Sequence, residues 1–431
     1  MIEIHFTNSE AQLKITARQV PTGLNLEETV RTIFTDVQKK GDQAIAKYTQ
    51  LFDGFEGENL RVSPEEMQKA ASQIAPELKQ AIDRAAHQIR RFHESQVEPI
   101  QRITTSPGVT CWRESRPIET VGLYIPGGTA PLFSTVLMLG IPAQIAGCPN
   151  RILCTPPNAQ GKINPAILYA AQVAGITELY KVGGIQAIAG MTFGTQTLPK
   201  VDKIFGPGNK YVTAAKAYAQ QLQVAIDLPA GPSEVLIIAD ANSNPEFVAA
   251  DLLAQAEHDA DSQVIILSDA PEQLQCILAA IDRQLEKLPR KKIAQQALLN
   301  SYAIAIPSLD DCFAFSNAYA PEHLIVALEN ASGWSSKITA AGSVFLGTYS
   351  CETAGDYASG TNHTLPTSGY AKAYSGVSLD SFIKKITFQE ITEEGLQDLG
   401  PTLEILAEAE GLFAHKNAVS LRIKKNNSWI H

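Results

Sequence analysis

Cysteine is sparse in this sequence, and its spacing shows no pairing pattern. Six cysteines are spread over 431 residues, and no two of them form a CxxC pair. Neither a thiolate zinc site nor a disulfide scaffold is therefore indicated. We expect reduced cysteines in a cytoplasmic protein, and we interpret Cys148 and Cys154 as core residues beside or within a buried strand.

The chain also has fewer basic than acidic residues. The chain has 35 basic and 45 acidic residues, which gives a net charge of −10, and no long run of Lys or Arg is present. A nucleic-acid-binding protein is therefore disfavoured. Hydrophobic residues make up 45% of the chain, which excludes general disorder and can supply a large core. The length favours two or three domains.

No apolar run is long enough to cross a membrane, which requires about 20 mostly apolar residues. The longest uncharged stretch, residues 120–150, is interrupted by Pro126, Gly127, Gly128, Pro131 and Pro142. The first residues, MIEIHFTNSEAQLK, contain early charges and no apolar block. We therefore expect no secretory signal there.

Residues 25–94 follow a helical pattern. Apolar residues recur every three or four positions after Asn25, which we predict to cap the first helix. Ser63 and Pro64 predict the start of a second helix, and a third helical stretch ends near His93. Residues 378–431 are predicted to return to helix and to end in a polar tail.

Short β-rich runs alternate with helical segments in the middle of the chain. The runs are 120–125, 151–155, 178–182, 201–205, 234–239, 263–268, 302–306 and 342–346. Because they lack strict alternation, they are typical of strands buried on both faces. Strands that alternate with helices predict βαβ units and a parallel sheet. Eight or more strands are more than we expect in a single sheet, so we predict two α/β lobes.

The dinucleotide-binding signature GxGxxG is absent. Three other glycine turns follow predicted strands, namely YIPGG (124–128), VGG (182–184) and FGPGN (205–209). Glycine lets the backbone approach a phosphate, and the helix that follows offers free N–H groups. No clear acid lies about 20 residues further on to hold a ribose. Ordinary tight turns between strand and helix therefore remain the alternative.

Two side chains near the end of a predicted helix could hold a metal. Asn244 and Pro245 predict the start of a helix that runs towards Gln255 and His258. Residues three apart share a helix face, so both side chains could point at one centre. An amide oxygen and an imidazole nitrogen suit a mixed N/O metal site. A solvated helix face is the alternative.

Three further segments contain candidate catalytic groups. The APEH segment (320–323) puts the Glu322 carboxylate beside the His323 imidazole, and both can carry protons. Residues 351–363 form a long polar loop that contains Asp356 and His363. Glu410 and His415 are five residues apart, about 140° around an ideal helix, so periodicity does not bring them to one site. The alternatives are that Glu322 and His323 are a loop pair without a role and that residues 351–363 form a surface crossover.

Together these segments resemble the histidinol dehydrogenase family. The resemblance covers about residues 25–422 and rests on GPGNKYV (206–212), DLPAGPSE (227–234), LLAQAEH (252–258), APEHL (320–324), GSVFLG (342–347) and AGDYASGTNH (354–363). It implies two α/β lobes similar to incomplete Rossmann domains, small helical terminal segments and an aldehyde-dehydrogenase-like architecture. The implied domains are an N-terminal segment (1–24), a first lobe (25–123 and 235–377), a second, NAD-contacting lobe (124–234) and a C-terminal segment (378–431) exchanged in a homodimer.

The resemblance also implies a zinc- and NAD-dependent enzyme of histidine biosynthesis. The family oxidises L-histidinol through L-histidinal to L-histidine with two NAD, and it binds one zinc ion per active site. The implied acid/base pair is Glu322 and His323. The implied zinc ligands are Gln255, His258, Asp356 and His415. The substrate would touch these four ligands and Ser233, His323, His363 and Glu410. The implied NAD contacts are Tyr124, Gln186 and Asn209.

In the implied reaction His323 takes the hydroxyl proton, and Glu322 activates the water that hydrates the aldehyde. Exchange of the C-terminal segment would bring Glu410 and His415 into the partner's site. A small departure is Ala254, where the family usually has a hydroxyl. Two rival hypotheses are a related enzyme for another small polar alcohol and a catalytically silent zinc-binding or scaffold protein. Retention of Glu322 and His323 argues against the second.

Overall fold

The computed structural model describes residues 1–5, 15–16, 24–57, 59–127, 131–229 and 231–423. Its strands are β1 (Ile2–His5), β2 (Arg102–Ser106), β3 (Val109–Pro117), β4 (Thr120–Tyr124), β5 (Asn150–Thr155), β6 (Glu178–Lys181), β7 (Lys203–Phe205), β8 (Ala225–Ile226), β9 (Glu234–Ala239), β10 (Gln263–Ser268), β11 (Tyr302–Ala305), β12 (His323–Ala327), β13 (Ser343–Leu346) and β14 (Ile383–Ile391).

The α-helices are α1 (Leu24–Lys40), α2 (Asp42–Asp53), α3 (Pro64–Ala70), α4 (Pro76–Glu94), α5 (Phe133–Ile145), α6 (Pro165–Val173), α7 (Gly184–Phe193), α8 (Lys210–Gln221), α9 (Pro245–Ala256), α10 (Pro271–Leu285), α11 (Lys291–Leu299), α12 (Leu309–Tyr319), α13 (Glu352–Tyr357), α14 (Glu393–Ala409) and α15 (Phe413–Ile423). Short 3₁₀ helices span Ala331–Lys337, Tyr370–Lys372 and Leu379–Phe382.

The chain divides into two compact units. Unit 1 comprises Met1–Gln96 and Ile118–Phe382, and unit 2 comprises Val97–Pro117 and Ile383–His431. Unit 1 contains one sheet of order β1-β11-β10-β9-β12-β13 and another of order β6-β5-β4-β7-β8. All strand pairs in these two sheets are parallel. The prediction of an α/β fold with parallel sheets is confirmed.

The central strands of unit 1 are apolar because helices cover both of their faces. All six residues of β9 are buried, and β9 lies between β10 and β12. Each fully buried Leu or Ile side chain contributes about 1.5–3 kcal/mol relative to an exposed one. This burial explains why the strands appear in the sequence as continuous apolar runs and not as alternating ones.

Unit 2 contains an antiparallel sheet of order β14-β3-β2 and the helices α14 and α15. Phe388 lies opposite Trp112 in the register of β14 and β3, and their rings stack with centroids 5.4 Å apart. The prediction that residues 378–431 return directly to helix is wrong, because Ile383–Ile391 forms a strand first. The predicted polar tail beyond Ile423 lies outside the described residues.

Several predicted helix starts can be compared with the structure. The Ser63 hydroxyl accepts a hydrogen bond from the Glu66 N–H at 3.2 Å, and the Asn244 side chain accepts one from the Glu246 N–H at 3.0 Å. Both residues therefore cap their helices as predicted. The prediction for Asn25 is wrong, because α1 already includes Leu24 and Asn25 lies inside its first turn.

The apolar interior of unit 1 also contains the cysteines that we interpreted as core. Cys148 and Cys154 are both fully buried, and none of the six cysteines forms a disulfide. Among the described helices, none combines the length and the apolar composition that crossing a membrane would require.

Gly206 is a position in unit 1 where only glycine fits. It follows β7 and has a φ of +126°, a conformation that other residues essentially never adopt. A Cβ atom here would also clash with the carbonyl oxygen of Tyr124 at the end of the neighbouring strand β4. The turn after β7 is therefore held close against the end of β4.

We predict that Gly206→Ala is much more destabilising than Gly147→Ala. Gly147 also has a positive φ, +83°, but a Cβ there meets no described atom within 4 Å. Gly147→Ala should cost about 1 kcal/mol from backbone strain alone, and Gly206→Ala at least about 2 kcal/mol more because of the added clash. Urea unfolding of both variants measures the difference. Equal losses would contradict this account of the turn.

Candidate active site

Glu322 and His323, the predicted acid/base pair, lie at the amino end of β12, beside the start of β9. His323 is the first residue of β12 and pairs with Val235 near the start of β9. Glu322 and His323 are both buried. The Glu322 carboxylate accepts a hydrogen bond from the Glu234 N–H at 2.8 Å, and His323 Nδ1 lies 3.2 Å from the Glu234 carbonyl oxygen. The backbone of β9 therefore fixes both side chains.

Three carboxylates surround the His323 ring. Its Nδ1 lies 3.6 Å from Glu322 Oε2 and 3.8 Å from Glu352 Oε1, and its Nε2 lies 3.6 Å from Asp356 Oδ1. The ligand atoms of His323, Glu352 and Asp356 all lie within 4.8 Å of one another. Glu352 and Asp356 are four residues apart on α13, so they share one face of that short helix.

This arrangement shifts the pKa values of all three groups in the cluster. Burial alone would lower the pKa of His323, but the interactions with the carboxyl groups of Glu352, Glu322 and Asp356 outweigh it and raise that pKa well above its usual range. Burial raises the pKa of Glu352 to about 8, although His323 opposes this effect. Burial also disfavours the Asp356 carboxylate, but the adjacent His323 lowers its pKa overall. These shifts favour opposite charges on His323 and Asp356 and the protonated form of Glu352.

His363 is held between α13 and α5. Burial lowers its pKa, so the ring is neutral at pH 7. Its Nδ1 lies 2.8 Å from the Asp356 carbonyl oxygen, and its Nε2 lies 3.0 Å from the Thr135 hydroxyl. A neutral ring fits both contacts if Nδ1–H donates to the carbonyl and Nε2 accepts from the hydroxyl.

Gln255 lies in the last turn of α9, which packs against α13. Its side chain is only 1% exposed, and neither its amide oxygen nor its nitrogen has a hydrogen-bond partner among the described residues. Buried amides are normally hydrogen-bonded, so this group indicates a place for a ligand. Its oxygen, with the carboxylates on α13, belongs to the class of donors that bind divalent metals.

His258 follows the end of α9 and does not lie on it. The helix ends at Ala256, and the His258 N–H then bonds to the Gln255 carbonyl oxygen at 3.2 Å. The expectation that Gln255 and His258 share one helix face is therefore wrong, because His258 lies beyond the end of the helix. His258 still lies near the cluster, since its charge helps to lower the pKa of Asp356. Its side chain is exposed.

A second group of predicted contacts lies at the carboxyl edge of the other sheet. Tyr124 ends β4, and its buried hydroxyl accepts a hydrogen bond from the Gly184 N–H at 3.0 Å. Gln186, in the first turn of α7, is fully buried, and neither polar atom of its amide has a hydrogen-bond partner in the part of the chain that the structure describes. The Asn209 oxygen caps α8 by accepting from the N–H groups of Tyr211 and Val212. Gly128, in the first predicted glycine turn, lies outside the described residues.

Comparisons with known proteins agree on one family. The model of the family described as histidinol dehydrogenase matches residues 17–423. The histidinol dehydrogenase of Bacteroides thetaiotaomicron is 54% identical over 97% of this chain and 98% of its own length. That of Xylella fastidiosa is 49% identical over 98% of this chain and 99% of its own. The crystal structure of histidinol dehydrogenase from Elizabethkingia anophelis has a TM-score of 0.97 at 59% identity and covers 99% of both chains.

This chain belongs to the histidinol dehydrogenase family. It is accordingly an oxidoreductase of histidine biosynthesis, and the resemblance found in its motifs is confirmed. The sequence pairs Glu322 with His323, and the structure shows that both are buried and in contact with the same strand.

The remaining residues implied by the histidinol dehydrogenase motifs lie in different parts of the chain. Ser233 is half-buried and directly precedes β9. Glu410 and His415 belong to unit 2, where both side chains are exposed. Glu410 follows the end of α14, Gly411 has a φ of +74°, and His415 lies in α15. They are thus on two helices, so the argument from one ideal helix does not apply to them.

Glu352 is a residue of this site that the sequence reasoning missed. Its side chain is buried beside His323 and Asp356. The loop 351–363 was recognised as polar, but its first part is the helix α13. The spacing of Glu352 and Asp356, four residues apart, was the signal that could have placed the two carboxylates on one face.

Proposed function

We propose that this enzyme oxidises L-histidinol through L-histidinal to L-histidine, with two NAD and one zinc ion per active site. The observation that best supports the zinc site is the Gln255 amide, which is buried without a hydrogen-bond partner. His258 is close enough to Asp356 to help lower the pKa of its carboxyl group. The carboxylate oxygen of Asp356, the imidazole nitrogen of His258 and the amide oxygen of Gln255 are all donors that suit zinc. The residues present therefore fit the metal.

The proposed zinc ligands are Gln255, His258, Asp356 and His415. When bound there, zinc supplies an anchor for the amine and imidazole nitrogens of the substrate, which is the orienting role of a catalytic metal. Ser233, His363 and Glu410 are the proposed additional contacts to substrate. For His363, contact through Nε2 would replace its present bond to the Thr135 hydroxyl.

His323 is the proposed proton acceptor. Each oxidation requires a proton to leave the substrate oxygen while a hydride leaves the same carbon, for which bound NAD would be the acceptor. The His323 ring must be neutral when it accepts this proton, a state that the charge of a cation held by Asp356 would favour. The surrounding carboxylates then stabilise the protonated ring. Its contact with the Glu234 carbonyl oxygen keeps the ring orientation fixed as it accepts the proton.

Glu322 is the proposed group that activates water in the second oxidation. An aldehyde has no hydroxyl proton to lose, so it must be hydrated before a second hydride can leave. The Glu322 carboxylate is held by the Glu234 N–H at 2.8 Å and lies 3.6 Å from His323 Nδ1. A proton taken from water by Glu322 can therefore be shared with His323.

We also propose a homodimer in which the site is shared. Glu410 and His415 are exposed on their own unit, as expected for residues that act in a second subunit. Tyr124, Gln186 and Asn209 are the proposed contacts to NAD, and the unpartnered Gln186 amide supports a ligand there.

Metal removal tests this function. We predict that a chelator abolishes NAD reduction by histidinol and that zinc restores it, since the substrate loses its anchor. His258→Ala should lose bound zinc and activity together, whereas His87→Ala, an exposed histidine on α4, should lose neither. Metal analysis and NADH absorbance provide the two measurements. A fully active enzyme without metal would contradict the proposal.

The two oxidations should respond differently to changes in the acid/base pair. Glu322→Gln keeps an oxygen for the Glu234 N–H but cannot take a proton from water. We expect it to slow the oxidation of histidinal by about 10²-fold or more and that of histidinol much less, whereas His323→Ala should slow both. Single-turnover rates with each substrate separate the steps. Equal losses for Glu322→Gln in both steps would refute the division of roles.

The shared site predicts complementation between two inactive variants. In a dimer of His258→Ala and His415→Ala subunits, one site carries both changes and the other carries neither. Random mixing makes about half of the dimers mixed, so about a quarter of wild-type activity should return, by counting on two-fold symmetry. Mixed dimers without activity would mean that each site comes from a single chain.

A further inference from the structure

The sheet that holds the proposed NAD contacts has the strand order of a dinucleotide-binding half. The chain runs from β4 outwards through β5 to β6 and then crosses to β7 and β8 on the other side of β4. Ligands of such sheets bind at the carboxyl ends of the strands where the order reverses, here β4 and β7. In these folds an acid at the end of the second strand usually holds the adenosine ribose. The corresponding strand here, β5, ends at Thr155 and continues into Pro156 and Pro157, so the acid is missing.

A carboxylate from a distant part of the chain occupies this end of the sheet. Asp53 is the last residue of α2, and Gly54 then turns the chain with a φ of +70°. A Cβ atom on Gly54 would lie 3.8 Å from Ala159, in the loop that follows β5. Phe55 packs against Gly161 in the same loop. The end of α2 is thus fixed over the carboxyl end of β5.

The Asp53 carboxylate has an oxygen without a hydrogen-bond partner. Its Oδ2 is buried, and no donor in the described chain reaches it. Burial raises the pKa of Asp53 to about 6, so the group is ionised at pH 7 and above in spite of its surroundings. Burial is the main reason why the pKa of Tyr124 is raised, and the charge of Asp53 adds to this effect, so Asp53 lies near a proposed NAD contact. An ionised acceptor without a donor is costly unless a ligand supplies the donor.

We infer that Asp53 accepts hydrogen bonds from the ribose hydroxyls of the adenosine half of NAD and thereby selects NAD over NADP. The inference rests on the use of NAD proposed above. A ribose diol offers two O–H donors to one carboxylate. A 2′-phosphate would replace one of these donors with negative charge next to the Asp53 carboxylate, and like charges repel. Asp53 would then hold the ribose in place of the acid that ends the second strand of other such sheets and that β5 lacks.

The test compares Asp53→Asn with Glu56→Gln, which makes the same change of charge three residues later. Glu56 is exposed and accepts a hydrogen bond from the Gln50 amide at 2.5 Å. We expect Asp53→Asn to raise the KM for NAD about tenfold, since a charged acceptor becomes a neutral one. The kcat at saturating NAD and the KM for histidinol should stay within about twofold of wild type. The ratio of kcat/KM for NADP to that for NAD should rise at least about tenfold, and Glu56→Gln should change none of these values.

Thermal stability separates a ligand-binding role from a structural one. The folded pKa of Asp53, about 6, lies above its ordinary value of 3.8, so ionisation costs the fold stability as the pH rises through about 6. Asp53→Asn should therefore have a Tm equal to or above that of wild type at about pH 8, with no gain near about pH 4. A structural role would instead lower the Tm.

A measurement on the unchanged enzyme covers the case in which the variant fails to fold. ADP-ribose should compete with NAD, and its 2′-phosphate analogue should bind at least about tenfold more weakly. The inference is overturned if the two inhibitors bind equally, if wild type uses NADP as well as NAD, or if Asp53→Asn leaves the cofactor preference unchanged. It is also overturned if the KM values for NAD and histidinol rise together while the Tm falls. If wild type reduces neither cofactor with histidinol, the proposed function itself fails.

Discussion

His323 lies buried with oxygens of Glu322, Glu352 and Asp356 between 3.6 and 3.8 Å from its ring nitrogens. Several negative charges cannot be buried together without positive charge close by. The protonated imidazole satisfies Asp356, and Glu352 remains neutral because its pKa is about 8. The cluster contains more carboxyl groups than cationic ones, so it favours ligands that bring positive charge. A divalent cation and a substrate with an amine are both ligands of this kind.

The proposed functional residues lie at the carboxyl edge of one sheet of unit 1 and at the amino edge of the other. Tyr124 ends β4 and Asn209 follows β7, so these proposed nucleotide contacts lie at carboxyl ends, as parallel sheets usually arrange them. His323 begins β12, and Ser233 directly precedes β9, so the proposed acid/base and substrate contacts lie at amino ends of the other sheet. A search for functional residues only at the carboxyl ends of strands would therefore find the proposed nucleotide contacts and overlook Glu322 and His323.

Much of unit 1 could be predicted because local chemistry determines it. The apolar runs that became β9 and β10 are buried on both faces, and Ser63 and Asn244 cap helices by contacts two or three residues away. The strand β14 could not be predicted in this way. Its residues are a mixture of charged and apolar ones, and it is a strand because it pairs with β3, more than 260 residues earlier. Asp53 could not be predicted for the same reason, since only tertiary packing brings it close to the loop that follows β5.

The Gln255 and Gln186 amides share a feature whose consequence reaches beyond catalysis. Each is buried and has no hydrogen-bond partner within the described ranges; Gln255 lies in the last turn of α9 and Gln186 in the first turn of α7. An unpaired buried amide weakens the folded state by about 1–3 kcal/mol. A ligand that bonds to the amide removes this penalty only in the folded chain, so binding and folding are thermodynamically linked. A rise in the melting temperature of this protein would then report that one of the two proposed ligand positions is filled, independently of any turnover.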